Sequence, residues 1–348
     1  MSDIPGLHDR IVAESKSAGK AILSALKEEG LDTGGISILP SVNEKGEVWN
    51  KTAQYVAVND SNKDLVLAMA DMSIYYTKTN LVRARLATFN ESRPKWIVVD
   101  GNWTGPTIRT LMGMGKSANA KVAFEPVSVV KSTSLFQPST LNKDDRITTF
   151  PEQIVDLATP NQHELAAMHA AAKQHEFFES ERWWTVIDSL GIPSSGARDR
   201  FVSLTSREMT DQGIPLQTIQ LLPYIPTILT KLGSEGVLLT ELLKPDDERL
   251  TDPIAAPYIL SRSSNGSADV GGVYMRLFPA VEVVENVVSV NGVGDTFLGV
   301  LIAGLAKGLK LDERLINVAQ RGAVMTLKSK EAVSIDIGLL KEELDSFV

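Results

Sequence analysis

The sequence predicts an α/β protein: a doubly wound, mainly parallel sheet flanked by helices, with a small antiparallel sheet of its own. Two observations predict the main sheet. The apolar runs Trp96–Val99 and Lys121–Pro126 lack polar alternation, as strands buried on both faces do, and a helical stretch from about Pro106 to Met114 separates them. The unit then repeats, with Gln153–Asn161 leading into a helix through Ala172, an alternation that marks a parallel sheet wrapped by helices. A third observation predicts the small sheet. SILPSV, TAQYVAV (Thr52–Val58) and LVLAMA (Leu65–Ala70) read as three short strands separated by the turn-rich NEKG and NDSN, and strands joined by short turns pair antiparallel.

In chain order, Ile11, Ala18, Ile22 and Leu26 recur at helical spacing, so Ile11–Glu29 reads as one helix stopped by Gly30. Residues 173–222, with Trp183-Trp184 and the PSSGARDR tract, read as a helical excursion carrying a flexible loop. Ile225–Thr230 and Val237–Leu242 read as a strand pair around Gly233-Ser234-Glu235-Gly236. Residues 243–280 hold KPDDER and SRSSNGSADVGG and read as an exposed, mobile loop. Helices over Thr296–Lys307 and Asp312–Lys328 close the chain. The expectation is a single domain over 1–348, with 173–222 and 243–280 as insertions.

Composition narrows the function. A net charge of −8 and a pI near 5.2, with the charges well mixed, exclude a protein that reads a nucleic-acid backbone. The absence of cysteine excludes disulfides, thiolate catalysis and Cys-based zinc sites. His8, His163, His169 and His175 do not pair at i,i+4, which excludes a helical His-His metal site. The N-terminus has no apolar core of signal-peptide type and no window approaches eighteen apolar residues, so no membrane partner and a cytoplasmic location are expected. Gly113-Met114-Gly115-Lys116-Ser117 ends like a P-loop, but Thr110 stands where its first glycine belongs and a helix precedes it.

The most informative stretch is Ser289-Val290-Asn291-Gly292-Val293-Gly294-Asp295-Thr296-Phe297. Two glycines and an acid open an apolar helix whose free N–H groups converge on negative charge. A carboxylate there suits a hydroxyl that must lose its proton to attack phosphorus. The same residues also read as an Asp N-cap after a Gly-rich turn.

GVGD opening a helix in the last third resembles the second signature of the ribokinase-like (PfkB) sugar kinases, usually D-T-x-G-A-G-D. The resemblance implies Asp295 as catalytic base and the N–H groups of Gly292, Val293 and Gly294 as the anion hole. Ser289 and Val290 replace the usual Asp-Thr, and Val293 the usual Ala. Thr159-Pro160-Asn161-Gln162-His163-Glu164 resembles the family's N-x-x-E element, which implies that Asn161 and Glu164 help place Mg²⁺ through water; it is equally a capping box. Lys231-Leu232-Gly233-Ser234-Glu235-Gly236 resembles the T-L-G-x-x-G turn, implying nucleotide contacts from Lys231, Gly233, Gly236 and Asn291, or simply a tight turn.

By the same resemblance residues 36–75 form a β lid over the substrate, with Thr52 and Gln54 on it and a homodimer through it allowed. Asp100 and Asn102, at a strand's C-terminal end where open α/β sheets place ligands, join the substrate site. KTAQYVAVND (Lys51–Asp60) and Glu125-Pro126-Val127-Ser128 resemble the pseudouridine kinase branch in particular. The implied activity is ATP- and Mg²⁺-dependent phosphorylation of a sugar or nucleoside hydroxyl, pseudouridine foremost. Residues 1–35 do not contain the family's Gly-Gly signature, which leaves an alternative: a truncated, non-catalytic domain that binds nucleotide or a partner protein.

Overall fold

A computed structural model describes residues 11–13, 18–39, 51–59, 65–76, 93–138, 146–193 and 195–347. Its centre is a seven-stranded sheet whose order runs from Ile259–Arg262 through Gly272–Phe278, Val237–Leu243, Thr227–Lys231, Leu157–Ala158 and Lys121–Glu125 to Trp96–Asp100. Four strands run parallel: β5 (Trp96–Asp100), β6 (Lys121–Glu125), β7 (Leu157–Ala158) and β8 (Thr227–Lys231). β9 (Val237–Leu243), β11 (Gly272–Phe278) and β10 (Ile259–Arg262) extend the sheet antiparallel.

Side-chain alternation along these strands divides the interior into two cores. Val122, Phe124, Ile228 and Leu238 face one core, which includes Ile108 and Met112 of the helix Gly105–Ser117 and Leu165 and Met168 of the helix Gln162–Gln174. Ala123, Leu229 and Leu239 face the other, filled by Phe297 and Leu301 of the helix Val293–Lys307 and Leu315 and Ile316 of the helix Glu313–Leu327. Helices therefore cover both faces, as a doubly wound sheet requires. Among the described residues no helix is long and apolar enough to cross a membrane.

Three expectations need correction. The helix read over Ile11–Glu29 begins only at Ala18 and ends at Glu28. Ile11–Ala13 (β1) is instead a strand, paired in parallel with Ser37–Leu39 (β2). Ser37–Leu39 of SILPSV consequently pairs outside the small antiparallel sheet, which among the described residues has two strands, β3 (Gln54–Asn59) and β4 (Leu65–Asp71). Finally, residues 243–280 are not an exposed loop, because β10 and β11 lie within them. KPDDER is anchored there: the Arg249 guanidinium bonds Glu241 and Asp247 and lies 5.0 Å from the centre of the Tyr274 ring. Residues 173–222 are helical as expected, in pieces at Glu181–Ser189, Ala197–Leu204, Arg207–Asp211 and Ile214–Leu221.

Candidate active site

Parallel strands end on one side of a sheet, and here those ends carry the polar groups. Asp100 ends β5, Glu125 ends β6, Thr159 follows β7 and Lys231 ends β8. The N-terminus of the helix Val293–Lys307 meets them: a side chain on Gly294 would put its Cβ 2.8 Å from Lys231 Nζ and 3.9 Å from Glu125 Oε1.

The turn entering that helix is possible only with glycine. Gly292 has φ +73°, and a Cβ there would lie 1.7 Å from the Ala332 carbonyl oxygen. Thr296 fixes the turn by donating its hydroxyl to the Gly292 carbonyl at 2.8 Å. The N–H groups of Val293 and Gly294, in the first turn, have no intrahelical carbonyl to bond. Asp295 follows them with an exposed side chain, and among the described residues no hydrogen bond ties its carboxylate to its own helix. The N-cap reading of Asp295 therefore fails, since the cap is Gly292. Asn291, just before the turn, is exposed, with its N–H on Ser289 Oγ at 3.2 Å.

Around Asp295 the site is rich in carboxylates. Burial pushes Asp100 above the usual carboxylate range; hydrogen bonding from Asn102 (backbone N–H at 2.9 Å) and the nearby positive charge of Lys131 oppose that rise, while Asp295 adds to it. Burial likewise raises Glu125, with Lys231 and the Thr159 hydroxyl opposing and Asp295 and Glu164 adding. Lys131 donates to Asn102 Oδ1, and its own burial lowers its ammonium against the pull of Asp100.

Asn161 and Glu164 form the capping box: Asn161 Oδ1 accepts the His163 and Glu164 N–H groups at 2.9 Å each, and Glu164 Oε2 accepts the Asn161 N–H at 2.8 Å. That arrangement occupies Asn161 Oδ1 and leaves Glu164 Oε1 for water. It fits a carboxylate that would hold a hydrated Mg²⁺ at one remove, because this ion retains several of its waters when bound to protein. Gly233 and Gly236 frame a tight turn, closed by Leu232 N–H on the Gly236 carbonyl at 2.8 Å. Both glycines have positive φ, +61° and +97°, and a Cβ on Gly236 would lie 2.1 Å from the Phe278 carbonyl oxygen. The Lys231 ammonium points away from that turn, to Glu125 at 3.1 Å.

Thr52 is buried at the base of the two-stranded sheet, and Gln54 opens β3 opposite Asp71 with its side chain exposed. Tyr75, just beyond β4, links this sheet to the site: its ring stands edge-on to Trp103, 5.0 Å away, next to Asn102. The sequence reading gave no role to Glu125, Thr159 or Lys131. The available signal was an acid closing an apolar strand, since KVAFE ends in Glu125 as WIVVD ends in Asp100. A separate cavity of about 290 Å³ lies by Lys307, Lys310, Arg314 and Phe347, at the opposite end of the helix that begins at Val293.

Comparison with known proteins bears on the fold. Residues 215–336 match the pfkB family carbohydrate kinases. A pseudouridine-metabolizing bifunctional protein of Schizosaccharomyces pombe is 32% identical over 295 residues, 83% of this chain, and the match spans 35% of that relative's length. Among solved structures, a putative sugar kinase from Clostridium perfringens superposes with a TM-score of 0.55 at 16% identity, over 97% of this chain and 78% of its own. Arabidopsis thaliana ribokinase, complexed with ribose and ATP, gives 0.54 at 13% identity, over 98% and 81%. At such identities the two structures speak for the fold. The chain therefore has the ribokinase-like fold, and its residues 215–336 resemble the pfkB family carbohydrate kinases.

Proposed function

We propose that this domain transfers the γ-phosphoryl group of ATP to a hydroxyl of a ribose-containing acceptor, pseudouridine foremost. One observation carries the proposal: the exposed Asp295 carboxylate stands directly after the glycine turn, unbonded to its own helix and close enough to Asp100 and Glu125 to raise both. The backbone N–H groups of Gly292, Val293 and Gly294 receive the phosphoryl oxygens. Asp295 accepts the acceptor hydroxyl's proton as its oxygen attacks in line. Asp100 and Asn102 orient the acceptor beside it, beneath the sheet that carries Thr52 and Gln54. Gly233, Gly236 and Asn291 bracket the nucleotide. Glu164 would hold Mg²⁺ through water, and the ion would supply charge neutralisation at the phosphates. The preference for pseudouridine is supported by the fungal relative, whose description names that nucleoside.

The same reading includes a cytoplasmic location and a homodimer through the lid. Val56, Leu67 and Met69 share one face of the two-stranded sheet and are 52%, 53% and 59% exposed. Met69→Glu is expected to halve the mass seen in sedimentation; an unchanged mass removes the dimer from the proposal.

Incubation with Mg²⁺-ATP and a panel of ribose-containing compounds, read by mass spectrometry, tests the activity. A phosphorylated nucleoside with matching ADP is expected. Stabilisation by ATP with no product from any acceptor would instead support the non-catalytic alternative.

A further inference from the structure

Glu125 has no part in the chemistry above, yet it is the best-held acid of the site. Its side chain is 6% exposed and its closest donors sit on different oxygens: Lys231 Nζ at 3.1 Å on Oε1, with the Val127 N–H at 3.5 Å on the same atom, and the Thr159 hydroxyl at 2.6 Å on Oε2. Donors on both oxygens fix the carboxylate in its plane. Lys231 in turn is a flexible chain whose position depends on what its ammonium meets. Here it meets Glu125 on one side and the bare Cα of Gly294 on the other, since any Cβ at 294 would stand 2.8 Å from Nζ. The ammonium is thus pressed beneath the first turn of the helix whose free N–H groups await an anion.

A buried ion pair adds little net stability over an apolar pair, because desolvation offsets attraction. Its position at the strand ends, against the glycine turn, calls for another explanation. We infer that Glu125 is a positioning residue that holds Lys231 as a cation for the transferred phosphoryl group. This rests on the phosphoryl-transfer reading of the site. Glu125 aims the ammonium; an arriving phosphoryl group shares it. Thr159 steadies Glu125, and Gly294 leaves the room.

The test is a double-mutant cycle with Glu125→Gln, Lys231→Met and the pair together. Turnover and ATP affinity are measured separately, with Asp295→Asn as control. Lys231→Met removes a charged hydrogen bond and is expected to weaken ATP binding and turnover about tenfold to a hundredfold. Glu125→Gln leaves the ammonium present but unaimed. It should lower kcat about tenfold or more while ATP affinity stays within about twofold, a split that a purely structural lesion would not give. The double variant should be no worse than Lys231→Met alone, because Glu125 acts only through Lys231. Losses that multiply, or equal weakening of ATP by both single variants, would overturn the inference. Should Glu125→Gln fail to fold, Thr159→Val decides: the same split at smaller size supports the inference and an unchanged kcat ends it. A fully active Asp295→Asn would sink the underlying reading, whereas an inactive one beside an additive cycle sinks this inference alone.

Discussion

Asp295→Asn separates chemistry from architecture at this site. The substitution keeps shape and removes a negative charge and a proton acceptor. Its structural cost is small on three counts. The carboxylate is exposed, among the described residues it receives no hydrogen bond, and the turn it follows is held by Gly292 and Thr296. Loss of an acid from a helix's first turn costs roughly 0.3–1 kcal/mol. Against that, Asp295 sits where it raises both Asp100 and Glu125, so removing it relieves like-charge repulsion. The two effects oppose each other, and the melting temperature should stay close to that of the parent. Catalysis is another matter. A positioned general base contributes roughly 10² to 10⁴ in rate, equal to about 3–5 kcal/mol of barrier. In a coupled assay for ADP, kcat should fall by at least about a hundredfold, with Mg²⁺-ATP affinity retained or improved. A variant that folds, binds ATP and turns over within about tenfold of the parent would refute the assignment of Asp295 as base.

Asp100→Asn should show a pH-dependent gain in stability. The folded protein holds Asp100 above its ordinary value, so its contribution to stability is full below the unfolded value of about 3.9 and is lost as pH rises through the raised one. The variant should therefore melt higher than the parent at neutral pH, with the gain shrinking on acidification; a pH-independent difference contradicts this. Gly292→Ala forces a side chain into a left-handed conformation and onto the Ala332 carbonyl, costing at least about 1–2 kcal/mol in denaturant melts and disabling the anion site. Gly299→Ala, in the same helix at an exposed position with nothing within 4 Å of the new Cβ, should instead stabilise by about 0.5–1 kcal/mol.

The parts of the fold legible in sequence were those where burial imposes one simple pattern. WIVVD and KVAFE lie between layers of helices and so read as apolar runs. The helix Val293–Lys307 announces itself by glycines before it and Gly308, at φ +93°, after it. β11 was absorbed into a loop because the charged KPDDER and the Ser/Gly-rich SRSSNGSADVGG precede it, and GVYMRLF itself carries Arg276. The Arg276 guanidinium lies over the Tyr258 and Phe278 rings at 4.4 and 4.5 Å and bonds Glu313. Ile11–Ala13 escaped for another reason, since three residues are too few to show a strand period beside a helix. In the site, the glycine turn was legible because it is local. Glu125 was not, because a strand-end acid has no visible purpose until topology sets it against Lys231, 106 positions away.

That distance also explains why the charges of the site make sense only together. Asp100, Glu125, Glu164 and Asp295 bring four carboxylates to the strand ends, against the ammonium groups of Lys131 and Lys231. A helix N-terminus adds about half a positive charge. On the proposed reading, such a site would repel a bare triphosphate and admit one whose charge a cation has already reduced. The two lysines are not free to compensate, since Lys231 is bonded to Glu125 and Lys131 to Asn102. Each therefore serves to fix a direction rather than to attract from afar. Among the described residues Asp295 forms no ion pair, which in the proposed mechanism leaves its carboxylate to take the acceptor's proton.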